Sequence, residues 1–453
     1  MAVLICLLLM VGATDAAKPV VTAALPLDQR ARSALAKAAA YLQAISTNGG
    51  YVGIYSLDLQ QRYGEGLYEK ARAEEIWVQP PGTPSVGKAL LRTYRITGDA
   101  QYLDAARAAG LALAWGQRSI GGWDHRVDVS ALAPDIPPQK ADGHCSLDDR
   151  ITQGALSFLM DLDDALSEDW LTAAIDLGLR YMLESQYPNG GWPQWYPLRG
   201  GYHDHYTFND NAINDCIAVL LEAHRRYDRP DLLAAARKGG DFIILSQGQP
   251  PQAGWAQQYD QDLKPAWARK YEPPAVCSAV TARNIRTLID LYRYTDDEKY
   301  LKRIPAAIAW LDHSAIEPNL WARFYEIGTN RPIYGDRDGL IHYDYDELSE
   351  ERKKGYAWRA NFAGGVKDRY RRARAVDSTE ETQVASSGPA SDPASGTSAG
   401  TSAGPSSDQI ARVEDILQRQ DAQGRWVGDR IYIRDFVRNI NALCAYLERV
   451  NPN

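Results

Sequence analysis

The stretch Tyr187–Ala212 reads YPNGGWPQWYPLRGGYHDHYTFNDNA and ends in a run of amides and a carboxylate, Asn209, Asp210 and Asn211. One such residue at a helix start is an ordinary N-cap. Three in succession exceed what capping needs. LDDR, Leu147–Arg150, opens the preceding helix in the same register, so Asp149 and Asp210 are expected at one mouth. Oxygen-only donors of this kind suit a hard cation such as Ca2+. The same two carboxylates could instead serve as the acid/base pair of a glycoside hydrolase, and spacing alone leaves both readings open.

Loop arginines favour the first. Arg269 sits beside Glu272 in WARKYEPPA, shortly after Asp260 of QQYD; Arg331 and Arg337 lie in NRPIYGDRDG, and Arg425 lies in GRW. Convergent guanidinium groups bind carboxylates in bidentate fashion, which suits an acidic polymer. Two other motifs carry less. HDH, His203–His205, offers two imidazoles without a third ligand, so loop hydrogen bonding is the simpler role. DLDD, Asp161–Asp164, matches the acid motif of terpene cyclases, but it falls where other units have TGD, DRPD and TDD. An Asp there is expected to cap the next helix.

These residues must be carried by repeated elements. YRITGDAQYL (Tyr94–Leu103) returns as YRYTDDEKYL (Tyr292–Leu301); AAR recurs at Ala105 and Ala235, and GGW at Gly121 and Gly190, with AGW at Ala253. The shifts fit multiples of about 65 residues, the mark of a repeated supersecondary unit. Each unit reads as a helix, a polar turn, a second helix with apolar residues three and four apart, and a Gly-Trp loop. Hairpins repeated around a centre predict an all-α fold, an α/α toroid with inner and outer helices. Inner-helix N-termini and long loops then form a groove at one end.

Composition sets limits. The chain has 453 residues, a net charge of −8, 12 Trp and 26 Tyr but only 6 Phe. Tyr and Trp suit wet binding surfaces, and the acidic balance excludes a nucleic-acid partner. The apolar run Val3–Ala13 is too short to span a bilayer. It predicts a signal peptide over 1–17 and a secreted or periplasmic protein, with no membrane span elsewhere. One catalytic domain, 18–453, is expected, acting as a monomer. It is interrupted at about 376–408 by a Ser/Gly/Ala/Pro-rich insertion too poor in bulky side chains to fold. Cys145, Cys216, Cys277 and Cys444 read as small buried hydrophobes.

The pieces NGGWPQWYP, GGYHDHYTFNDNA, GWAQQYD, WARKYEPPA, GDRDG, ERKKGYAW and GRWV together resemble the pectate lyases of polysaccharide lyase family ten. The resemblance covers about Gly50–Val450 apart from the insertion. It implies an α/α toroid, an acidic polysaccharide (polygalacturonate) as partner, Ca2+ as cofactor, and β-elimination with an arginine as base. Arg337 is expected as that base, with Arg269 as runner-up. Asp210 and Asp260, with Asp149 and Glu272, would hold Ca2+. Arg352 and Arg425 would clamp substrate carboxylates, and Trp192, Asn211 and Tyr271 would line the groove. Two alternatives remain: a toroid glycoside hydrolase using the Asp149–Asp210 pair, and a non-catalytic polysaccharide-binding protein.

Overall fold

Apolar residues at three- and four-residue spacing give helices with one buried face, and such faces must be covered by other helices. The computed structural model describes residues 25–132, 143–380 and 404–450. Its helices are α1 (Leu27–Ile45), α2 (Thr83–Thr97), α3 (Ala100–Gly116), α4 (Ile151–Asp163), α5 (Asp169–Glu184), α6 (Ala212–Tyr227) and α7 (Pro230–Leu245). They continue with α8 (Ser278–Thr295), α9 (Ile304–His313), the short α10 (Glu350–Gly355), α11 (Val366–Glu380), α12 (Ser407–Arg419) and α13 (Ile433–Val450). Contacts run α13–α2–α4–α6–α8–α11 around the inside, while α1, α3, α5, α7, α9 and α12 pack outside. The toroid expected from the repeats is therefore present. No helix among the described residues is long and apolar enough to cross a membrane.

Polar turns divide each pair. Gly98 ends α2 at φ 74°, and Asp99 accepts from Gln101 N to start α3. Asp228 and Asp296 end α6 and α8 in the same left-handed conformation. DLDD departs from that pattern. None of its aspartates starts the next helix: Asp164 ends α4 as its C-cap and Glu168 precedes α5, while Asp161 pairs with Lys88 (2.7 Å) and Arg226 (2.5 Å). Three inner helices are thereby tied together at the end of the ring away from the long loops.

The Gly-Trp loops are the repeat's fastener. Trp123, Trp192, Trp255 and Trp426, and Trp321 of the glycine-free stretch NLW, each donate the indole N–H to a carbonyl on the outer helix before them: Leu113, Met182, Ile243, Ile416 and Leu311 respectively (2.7–2.9 Å). A glutamine works beside most of them. Gln117, Gln186, Gln247 and Gln420 each donate once to their own loop and once to the backbone at the next outer helix, at Ala174, Ala235, Arg303 and Ala34. The last of these bonds joins the C-terminal unit to α1 and closes the ring. Glycine is required where the loop lies flat on that helix. Gly190 has φ 98°, and a Cβ there would meet the Lys238 carbonyl oxygen at 2.1 Å.

Strands of two to four residues sit at the loop end. Cys145–Ser146 pairs with Trp195–Tyr196, and Tyr206–Thr207 with Gln258–Tyr259. Each first-named strand leads straight into an inner-helix start. Cys145, Cys216, Cys277 and Cys444 are all free and buried, as expected of small apolar side chains. The expected signal peptide, 1–17, lies outside the described residues, as does most of the expected insertion. Both ends of that insertion are described, however, and are helical. Residues 376–380 continue α11, and Ser406 with Gln409 forms a capping box that starts α12.

Candidate active site

LDDR and FNDN fold into the same turn. Leu147 and Phe208 have φ/ψ of −100°/0° and −98°/−3°. Asp149 and Arg150 then sit at φ 50° and 59°, as Asp210 and Asn211 do at 44° and 65°. Two consecutive left-handed residues without glycine cost about 1–2 kcal/mol each, so their surroundings must enforce them. Ser146 Oγ accepts from Asp148 N, and Thr207 Oγ1 accepts from Asn209 N, each at 3.1 Å. Leu147 N donates to Gln194 O (2.9 Å) and Phe208 N to Gln257 O (2.8 Å). Buried Gln153 bridges the two turns, donating to Leu147 O (2.7 Å) and Ala212 O (3.4 Å).

The turns bring Asp148, Asp149 and Asp210 together, with one oxygen of each within 4.8 Å of the others. Among the described residues no other group of three His, Cys, Asp or Glu side chains gathers in this way. Asp148 Oδ2 accepts from Gln194, while its buried Oδ1 has no partner. Desolvation, then Asp210 and Asp149, holds the Asp148 carboxyl well above the usual range. Desolvation and the Asp210 charge push Asp149 up to about 7. Asp210 is also raised, by desolvation first, against the opposing charge of Arg269. Crowded carboxyls with an orphaned oxygen fit a hard divalent cation, whose charge would relieve the repulsion.

Asp148 and Asp149 line a cavity of about 240 Å3, and the second turn reaches it through Thr207 and Asn209. Arg269 lines the same cavity, together with Trp195, Tyr202, His203, Gln194, Glu65, Tyr68 and His125. Arg269 is clamped by Glu272 through Nε (2.8 Å) and Nη2 (2.6 Å). Burial works against its charge, but those bonds and that carboxylate raise its pKa further. Arg323 stacks over Tyr356 (4.7 Å) and Phe362 (5.1 Å) and donates Nε to Ala357 O (2.8 Å). His203 is sandwiched in an aromatic shelf, 3.9 Å from the Tyr202 ring and 4.6 Å from Trp195. It lies in the loop with His205 and gathers no third metal ligand.

Several expected site residues stand elsewhere. Trp192 is fully buried, its N–H bound to Met182 O, so it fastens the repeat and does not line a groove. Glu272 does line the cavity, but it is fully buried and spends its oxygens on Arg269 and the Tyr356 hydroxyl (3.0 Å), so it is not one of the gathered carboxyls. Asp260 closes its own turn by accepting from Asp262 N and Lys264 N, both at 2.9 Å. Asn211 contributes its left-handed backbone. Arg425 takes the place of the second glycine in a Gly-Trp loop and pairs with Asp421 (2.8 Å), over Tyr41. Tyr271 is buried beneath three guanidinium groups: Arg352 at 4.4 Å, Arg269 at 5.1 Å and Arg337 at 5.5 Å. Arg337, 63% exposed, pairs with Glu351 (3.1 Å), and Arg352 pairs with the same carboxylate. Neither lines the aspartate cavity.

Sequence reasoning passed over Asp148, Arg323 and the shelf. Asp148 was in plain sight in LDDR. Arg323 had a signal too, since WARFYE (Trp321–Glu326) echoes WARKYE (Trp267–Glu272).

A family model for pectic acid lyase matches residues 117–319 and 313–367, more than half of the chain. Two solved structures of family 10 polysaccharide lyase from Cellvibrio cellulosa share the fold. One, an aspartate-to-alanine mutant in complex with trigalacturonic acid, is 23% identical, with a TM-score of 0.51 over 63% of this chain and 98% of its own. The other is 24% identical, with a TM-score of 0.51 over 64% and 97%. No curated protein matches. With its toroid, its twin aspartate turns and this match, the chain belongs to the pectic acid lyase family and is a polysaccharide lyase.

Proposed function

We propose that the enzyme cleaves α-1,4-linked galacturonan by β-elimination, with Asp148, Asp149 and Asp210 holding Ca2+ and Arg269 acting as base. The observation that carries this is the shared cavity: Arg269 lines it with Asp148, Asp149 and Asn209 of the second turn, and Arg337 does not. The solved relative bound to trigalacturonic acid supports the substrate class. Bound Ca2+ would stabilise the charge that develops on the uronate carboxylate when C5 loses its proton.

The chain's own residues do the rest. Glu272 and Tyr271 hold the Arg269 guanidinium at the cavity wall. An arginine is almost always charged, so Arg269 must first give a proton to solvent water, against the pull of Glu272 and with the help of a nearby bound cation, before it can accept one from C5. The neutral guanidine takes the C5 proton, the C5–H electrons form the C4–C5 double bond, the C4–O4 bond breaks, and the leaving oxygen takes up a proton from water. Glu272 stays partnered through Tyr356 when the guanidinium turns away from it. The aromatic shelf at Trp195, Tyr202 and His203 offers sugar rings a face to stack on. Arg337 and Arg352, around Tyr271, suit uronate carboxylates further along the polymer.

The hydrolase reading calls on two carboxyls alone and leaves the third aspartate and Arg269 without a role. The deciding assay follows ultraviolet absorbance on polygalacturonate with Ca2+ and then with a chelator. A rise that the chelator stops is expected. New reducing ends without absorbance would overturn the elimination.

A further inference from the structure

On the lyase reading above, we infer that Glu65, Tyr68 and Glu69 form a wall that selects an uncharged sugar ring beside the cation-holding aspartates. The residues sit at the tip of a hairpin, where Arg62–Tyr63 pairs with Lys70–Ala71. The hairpin lies outside the residues that the family model matches, so membership of the family does not account for it. All three side chains line the aspartate cavity.

The wall is built, not incidental. Buried Trp77 donates Nε1 to Gln79 Oε1 (3.2 Å), and buried Gln79 donates Nε2 to Glu65 Oε2 (3.0 Å). Two core side chains thus fix the Glu65 carboxylate at the cavity. Glu69 Oε2 accepts from Glu65 N (3.0 Å) and Gly66 N (3.3 Å), which holds the tip. Tyr68 is 82% exposed at the same place.

Two opposite requirements follow. An exposed phenol ring stacks on the C–H face of any sugar, charged or not. Fixed carboxylates beside it repel a uronate carboxylate and leave an uncharged ring untouched. The wall and the aspartates Asp148 and Asp149 line the same cavity of about 240 Å3. A ring next to the one on the cation therefore meets this wall. The ring that fits it is an esterified uronate or a neutral sugar. An enzyme that only had to grip a fully ionised polymer would gain nothing from two more carboxylates there.

The test compares kcat/KM for unsaturated product at saturating Ca2+ on three polymers: unesterified galacturonan, half methyl-esterified galacturonan, and an alternating copolymer of galacturonate with a neutral sugar. The wild type should prefer one of the latter two, and which one identifies the source of the uncharged ring. The E65Q/E69Q double variant keeps the hydrogen-bonding oxygens. It should shrink that preference about tenfold, mainly by faster turnover of unesterified polymer. Y68A should raise KM on all three alike. An unchanged preference in E65Q/E69Q with a wild-type Tm overturns the proposal, as does a wild type that prefers the unesterified polymer. Absence of unsaturated product from every polymer sinks the lyase reading itself, and this inference with it.

Discussion

The Gly-Trp loops and the aspartate turns look alike in sequence: short, Gly- or Asp-rich, aromatic, and repeated. Their places in the structure are opposite. The loops recur around the ring with the same bonds, from Trp123 to Trp426, and each buries its tryptophan. Among the described residues the aspartate turns occur twice, at α4 and α6, and face the cavity they share. A motif that every unit carries holds the units together. A motif that two neighbours share, and that strains the backbone, serves the place where they meet.

Variants can break this contrast in order of expected effect. Arg269→Ala should lower kcat about a thousandfold, the scale of a lost general base. Arg337→Ala, outside the cavity, should chiefly raise KM. Equal losses in kcat from both would dissolve the distinction between the two arginines.

Trp192→Ala should cost about 3–5 kcal/mol of stability, measured by denaturant unfolding, with turnover per folded molecule retained. Asp148→Asn should do the reverse. Unsaturated product should fall about a hundredfold, while the Tm of calcium-free protein rises, because a buried carboxyl crowded by two others is removed. If Trp192→Ala spared stability and abolished catalysis, the loops would be part of the site after all.

A milder change sharpens the fastener. Gln186→Ala removes one bond to Gly190 O (3.0 Å) and one to Ala235 O (2.9 Å). It should cost about 2 kcal/mol at about 1 kcal/mol per bond, read as a lowered urea midpoint with unchanged kcat.

The smallest effect is one of pH. Asp149 has a folded pKa of about 7, above the unfolded value of about 3.9. The folded state therefore binds the extra proton between those values, and stability falls as pH rises through that window. Calcium-free protein should melt lower at pH 8 than at pH 5. Added Ca2+ should raise the Tm most at pH 8, where the aspartates are ionised. A Ca2+ effect larger at pH 5 would count against the trio as the cation's seat.

Much of the fold was legible because repeats and helical periodicity are local. Tyr94–Leu103 and Tyr292–Leu301 announced the unit, and the apolar spacing announced its helices. The site was legible in part. LDDR and FNDN were readable as one motif used twice, which placed Asp149 and Asp210 at a single mouth. The arginines were readable only as a set. Arg269, Arg337, Arg352 and Arg425 all lie in loops or at a short helix, and nothing local tells an arginine beside the cation from one paired with Glu351 or Asp421.

By itself, then, the sequence determined the toroid, the twin turns and the family, since each rests on patterns within a unit or between equivalent positions. Only the tertiary structure decided that Trp192 is a core fastener, that Glu272 serves Arg269, that Asp148 completes the trio, and that Glu65 reaches the same cavity from a hairpin far away in the chain. Burial and cross-unit contact set those roles, and both depend on how the ring closes, which no local stretch of sequence encodes.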